Sequence, residues 1–140
     1  MAKIAVVYWS GTGNTEAMAN SVADGIRSAG GEATLLTAVE FSGDMVADFD
    51  AIAFGCSAMG SEQLEESEFE PMFESCKPNL NGKKIALFGS YGWGDGEWMR
   101  NWEEDCINNG CVMATEPVIA NEAPDAEATT SCENLGKALV

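Results

Sequence analysis

Ile4-Ala5-Val6-Val7-Tyr8-Trp9 runs directly into Ser10-Gly11-Thr12-Gly13-Asn14-Thr15, and a helical apolar pattern begins immediately behind it. An apolar strand that feeds a turn of glycines and hydroxyls, and then a helix, makes a phosphate cradle without a cation. The glycines let the chain double back, and Ser10, Thr12, Asn14 and Thr15 offer side-chain hydrogen bonds. The helix aims its unpaired N–H groups and positive dipole end at the same spot. A P-loop would need Gly-Lys-Ser/Thr, yet no lysine occurs between Lys3 and Lys77. A dinucleotide fingerprint would need glycine at position 16, where Glu16 stands. A neutral cradle suits one phosphate monoester better than a polyphosphate with its metal.

Outward from this stretch, apolar runs and helical patterns alternate with little left over. Strands are expected at Lys3–Trp9, Glu32–Thr37, Ala51–Gly55, Lys83–Ser90 and Cys111–Ala120. Helical patterns fall at Asn14–Ala29, Ser42–Asp48, Glu66–Lys77, Glu97–Asn109 and Ala126–Val140. In the first helix Ala17, Ala19, Val22, Ala23 and Ile26 form an apolar stripe, with Gly30-Gly31 as its C-cap. In the fourth, Trp98, Trp102 and Ile107 do similar work before Asn108-Asn109-Gly110. Near-continuous apolar strands alternating with helices predict a doubly wound α/β sandwich with a parallel sheet. Right-handed crossovers place helices on both faces, and ligands then bind beyond the carboxyl ends of the strands.

The chain has 140 residues, of which 46% are apolar, so one folded domain over residues 1–140 is expected. No apolar run approaches the ~20 residues of a membrane span, and the first residues lack a signal-peptide pattern; the expected location is cytoplasmic. The five cysteines have no C-x-x-C spacing, and histidine is absent. That weighs against disulfide scaffolds, metal sites and histidine-activated nucleophiles; if the protein handles redox chemistry, a bound organic cofactor is expected to supply it. Net charge is −16, with eleven acids and no base between Arg27 and Lys77, and ten acids against Arg100 alone between Lys84 and Lys137. Nucleic acid and anionic membrane are both disfavoured as partners of such a surface, and no membrane insertion is expected.

Two further loops follow expected strands. Cys56-Ser57-Ala58-Met59-Gly60-Ser61-Glu62 and Ser90-Tyr91-Gly92-Trp93-Gly94-Asp95 each carry one large apolar side chain, Met59 or Trp93, among small residues. Together they fit opposite walls of a slot for a flat aromatic ring. With phosphate at residues 10–15, a polar chain crossing Ser57 and Ser90, and a ring between Met59 and Trp93, the ligand described is flavin mononucleotide (FMN).

On the motifs Tyr8-Trp9-Ser10-Gly11-Thr12-Gly13-Asn14-Thr15-Glu16, Gly55-Cys56-Ser57-Ala58-Met59-Gly60 and Leu87-Phe88-Gly89-Ser90-Tyr91-Gly92-Trp93-Gly94, the chain resembles the flavodoxins over essentially its whole length. The directness of the last strand, without room for a ~20-residue insertion, fits their short-chain type. The resemblance implies a flavodoxin-like sheet with strand order 2-1-3-4-5. It implies a low-potential one-electron carrier, not an enzyme with its own substrate, cycling mainly between the semiquinone and hydroquinone of FMN. By similarity, Ser10, Gly11, Thr12, Gly13, Asn14 and Thr15 hold the phosphate, and Ser57, Ser90 and Asn121 approach the ribityl chain. Ala58, Met59, Gly60, Ser61, Glu62, Tyr91, Gly92 and Trp93 surround the ring. The peptide after Gly60 is expected to flip on reduction. The acids Glu62, Glu65, Glu66, Asp95, Glu97, Glu122 and Asp125 are expected to repel the charge of the reduced ring and lower its potential. Implied partners are larger redox proteins with basic docking patches, of the oxidoreductase, hydrogenase or nitrogenase type, met by a monomer. The alternative is an FMN-dependent NAD(P)H or quinone reductase of the same fold, against which so acidic a loop region argues.

Overall fold

Residues Ile4–Val7 and Ile85–Phe88 are apolar at every position because both faces of their strands are covered, and each of these side chains is fully buried. The computed structural model describes residues 2–11, 13–58, 64–92 and 96–140. Among them, six parallel strands form one sheet: β1 (Lys3–Trp9), β2 (Glu32–Thr37), β3 (Ala51–Cys56), β4 (Lys84–Tyr91), β5 (Val112–Met113) and β6 (Val118–Asn121). The order is β2-β1-β3-β4, with β5 and β6 both paired to β4, so the expected 2-1-3-4-5 arrangement is present.

The fifth position departs from the single strand expected over Cys111–Ala120. Lys84 pairs with Val112, whereas Phe88 pairs with Val118, so the register slips by two residues between β5 and β6. Pro117 sits at that slip and has no N–H to give a ladder. The interruption is four residues long, 114–117, far short of a 20-residue insertion.

Among the described residues, four α-helices flank the sheet: α1 (Asn14–Ser28), α2 (Phe69–Cys76), α3 (Glu97–Asn108) and α4 (Ala126–Leu139). The helix expected at Ser42–Asp48 is instead a tighter 3-10 segment over Gly43–Asp48. Alternation along each strand splits the core in two. Ala5, Val7, Ile52, Phe54, Ile85 and Leu87 face α2 and α3, while Ile4, Val6, Ala51, Ala53, Ala86 and Phe88 face α1 and α4. The apolar stripes shift by a residue from expectation. Met18 takes the buried place expected for Ala17, and Ile107 is 55% exposed while Cys106 is buried beside Trp98, Met99 and Trp102. Position 106 lies two turns after Trp98 and one after Trp102 on the face turned to the sheet; position 107 is rotated off it. Among the described residues, no helix is long and apolar enough to cross a membrane.

Candidate functional site

Parallel pairing puts the carboxyl ends of β1, β3 and β4 side by side, with Tyr8 opposite Gly55 and Gly55 opposite Phe88. The loops that follow therefore converge on one edge of the sheet. Between them lies a cleft of about 590 Å³. The turn after β1 contributes Trp9, Gly11 and Asn14 to its walls, the turn after β3 Ser57 and Ala58, the end of β4 Ser90, Tyr91 and Gly92, and the segment after β6 Glu122 and Ala123. No lysine or arginine is among these described lining residues.

The loops are bonded to each other beneath the cleft. Thr15 is fully buried, and its hydroxyl lies 2.7 Å from the Ser57 hydroxyl and 3.0 Å from the Ser90 hydroxyl. Ser57 and Ser90 hydroxyls are 3.3 Å apart, closing a triangle. The Ser90 amide also donates to Thr15 Oγ1 at 3.3 Å, and the Ala58 amide donates to the Ser90 carbonyl at 3.0 Å. Three hydroxyls that can each donate and accept leave the triangle free to reorient its protons toward a ligand. Ahead of α1, Gly13 is in the left-handed region at φ 92°, and its amide donates to Ser10 Oγ at 3.0 Å. Helical geometry then leaves the first-turn amides without partners inside the helix.

Of the expected site residues, Gly11, Asn14, Ser57, Ala58, Ser90, Tyr91 and Gly92 share the cleft, with Thr15 below them. Ser10 and Gly13 line a smaller hollow of about 220 Å³ next door, with Tyr8, Trp9 and Glu68. Asn121 pairs with Tyr91 in the sheet but lines a separate depression of about 290 Å³; it is the next two residues, Glu122 and Ala123, that reach the cleft. Thr12, Met59, Gly60, Ser61, Glu62 and Trp93 lie outside the described residues, as does the acid Asp95. Their chain neighbours Gly11, Ala58 and Gly92 line the cleft.

Trp9 is a wall residue missed as a site residue, although it ends the strand that opens the phosphate turn; its indole N–H donates to Glu68 at 3.0 Å. Glu122 was legible only as a nearby acid. It sits at φ 59°, unusual for a side-chain-bearing residue, and its amide donates to the Tyr91 carbonyl at 2.7 Å. Nothing in the residue type announces that conformation.

Two of the acids expected to act on a ligand by charge also have structural work. Asp125 accepts from the Ala128 amide at 2.8 Å as the N-cap of α4. Glu65, 7% exposed, accepts from the amides of Ser67 (2.9 Å), Glu68 (2.7 Å) and Phe69 (2.9 Å), and from the Ser67 hydroxyl. This collar is why α2 begins at Phe69 rather than at the expected Glu66. Burial pushes the Glu65 carboxyl up, but the bonds from Ser67, Phe69 and Glu68 outweigh it and hold it below its ordinary value. A carboxylate held low contributes stability that is present above the unfolded carboxylate value and lost as pH falls through the folded one. Glu65→Gln is therefore expected to cost about 1–2 kcal/mol near neutral pH and to flatten the acid limb of a stability-versus-pH curve. Urea unfolding at several pH values checks it; an unchanged acid limb would refute the assignment.

Cys56 ends β3 fully buried, and burial pushes its thiol up to about 12. It is a packing residue of the core that faces α2 and α3, not a nucleophile.

Residues 6–136 match the family model described as Flavodoxin. The chain is 48% identical to the flavodoxin of Clostridium beijerinckii and 45% identical to that of Megasphaera elsdenii, in each case over 96% of both chains. The solution structure of two-electron reduced Megasphaera elsdenii flavodoxin superposes with a TM-score of 0.90 at 46% identity, covering 97% of both chains. A sheet in 2-1-3-4-5 order, a cleft at its carboxyl edge with no cation among the described lining residues, and near-full-length kinship at this identity place the chain in the flavodoxin family, among its short-chain members.

Proposed function

We propose that residues 1–140 form one FMN-binding unit that works as a low-potential one-electron carrier between larger redox proteins. The observation that carries it is the cleft itself, where three strand-end loops present hydroxyls, backbone amides and aromatic walls, with no base among the described lining residues. That donor set fits FMN, the cofactor of flavodoxins. The turn of Ser10, Gly11, Thr12, Gly13 and Asn14 and the first turn of α1 would hold the phosphate. Ser57, Ser90 and Asn121 would serve the ribityl chain. Ala58, Met59, Gly60, Ser61, Glu62, Tyr91, Gly92 and Trp93 would surround the ring. Thr15 acts through its neighbours, fixing the Ser57 and Ser90 hydroxyls from below. Bound FMN supplies reversible one-electron transfer at low potential.

The chain's own contribution is to bias which charge state the cleft tolerates. Net charge of −16 surrounds a site without a compensating cation among its described walls, so added negative charge is resisted and the last reduction step falls at low potential. A unit charge ~10 Å away at effective dielectric ~20 contributes ~1.7 kcal/mol before screening. Since ~1.4 kcal/mol is ~59 mV for one electron, the variant Glu66→Gln/Glu97→Gln/Glu122→Gln is expected to raise that step by on the order of 100 mV. Potentiometric titration reads the shift, and a potential that stays put would assign the low value to stacking alone. The same charge predicts fast docking to basic patches on partner proteins, weakening steeply with salt.

A spectroscopic reductive titration of the FMN-loaded protein tests the carrier reading, run beside NADPH-oxidase and quinone-reductase assays. Two separate one-electron steps and no turnover support a carrier. Steady turnover of NAD(P)H with a small acceptor would replace it with a reductase.

A further inference from the structure

Helix α3 ends on a left-handed cap. The Gly110 amide donates to the Ile107 carbonyl at 3.0 Å, and the Cys111 amide to the Cys106 carbonyl at 3.1 Å, with Gly110 at φ 86°. This cap usually carries an apolar contact between the two residues joined by the longer bond. The same cap ends α1, where the joined residues are Ile26 and Gly31. At the end of α3 both are cysteines. Their pairing is invisible as a C-x-x-C spacing because the turn, not a helix face, brings them together.

The two thiols differ in a useful way. Cys106 is 1% exposed in the core under α3, whereas Cys111 packs against the same core and is half-buried. All five cysteines are free thiols, and the other three are buried. Burial pushes Cys56 up to about 12, Cys76 up to about 11 and Cys132 up to about 12, so these three stay protonated and inert. The bond from the Cys111 amide to the Cys106 carbonyl holds the two residues at one end of α3, both packed against the same core. The neighbouring Cys111 thiol and then burial push the Cys106 thiol up, while Cys106 holds Cys111 below its ordinary value despite its burial. Cys111 is thus the more accessible member of a pair that the cap brings together.

We propose that Cys106 and Cys111 form a peroxide-responsive dithiol at the end of α3, a modification site separate from the cleft. Cys111 attacks one oxygen of a hydroperoxide; an S–O bond forms, the O–O bond breaks, and the departing oxygen leaves as water or an alcohol. Cys106 then gives up its proton and its sulfur displaces the oxygen on Cys111 as water, forming the S–S bond. With hydrogen peroxide, two thiols and one peroxide become one disulfide and two waters. The site sits beside Val112, which pairs with the first residue of β4, while the cleft lies at the last. Seven strand steps separate the two by about 23 Å, which is why the oxidant is an external hydroperoxide and not the cofactor.

The test is a thiol count on the FMN-loaded wild-type protein after hydrogen peroxide, by alkylation in denaturant and mass-spectrometric mapping, with flavin absorbance followed in the same sample. The expected result is the loss of two of five free thiols, linked 106 to 111 and restored by dithiothreitol. Cys106→Ser is expected to leave Cys111 as a sulfenic acid trapped by dimedone, and Cys132→Ser to behave as wild type. Retention of all five thiols, loss of others first, or oxidation of Cys111 past the sulfenic stage with Cys106 still free would each overturn it.

Discussion

Gly136→Val is expected to cost on the order of 3 kcal/mol or more of unfolding free energy, read by urea denaturation. Helices α1 and α4 touch through a reciprocal pair of glycines. A Cβ on Gly136 would stand 2.1 Å from the Val22 carbonyl oxygen and 3.0 Å from the Ile26 nitrogen. A Cβ on Gly25 would stand 1.9 Å from the Glu133 carbonyl oxygen. Each obstacle is backbone, which no rotamer change can move aside, so the helices must separate and open voids around Val22, Ile26 and Leu135. Against this, replacing a helical glycine gains only about 1 kcal/mol of backbone entropy. The double variant with Gly25→Ala should cost less than the two singles added, because the first substitution has already parted the helices. Unchanged stability would mean that the two helices pack at another distance.

Thr15→Val should weaken FMN binding about 10- to 100-fold, measured by fluorescence titration, and lower the stability of the ligand-free protein by about 2 kcal/mol. Valine keeps the shape and removes the one oxygen that meets the Ser57 hydroxyl, the Ser90 hydroxyl and the Ser90 amide. Those groups would be left partly unpaired beneath the cleft, and two hydroxyls that line it would lose their orientation. Thr15→Ser retains the oxygen and is expected to recover most of the affinity. Should Thr15→Val bind FMN as tightly as wild type, the triangle has no part in holding the ligand.

These two sites differ in how visible they are in the chain. Gly25 and Gly136 read as weak points of two helical patterns, and only the packing shows that they face each other. Thr15 reads as one more hydroxyl of a phosphate turn. Its partners are 42 and 75 residues away, and its burial turns the hydroxyl toward them. Glu65 likewise reads as one acid in an acidic stretch, whereas the turn before α2 makes it the acceptor of that helix's first free amides.

What the amino-acid order determined by itself was whatever rests on local periodicity and turn chemistry. β1 and β2 lie within the limits their apolar runs define, α1 and α3 start where their patterns start, and Gly30 and Gly110 end them in the left-handed region. The three loop motifs were legible for the same reason, since each is contiguous. Tertiary structure alone decided what depends on register and approach between distant segments. It split the fifth strand where Pro117 meets β4, exposed Ile107 and buried Cys106. It also joined Thr15 to Ser57 and Ser90, and brought Glu122 to the cleft edge. A contact between residues tens of positions apart leaves no trace in a sequence window, because its energy is settled only when the sheet has assembled and the helices have closed over it.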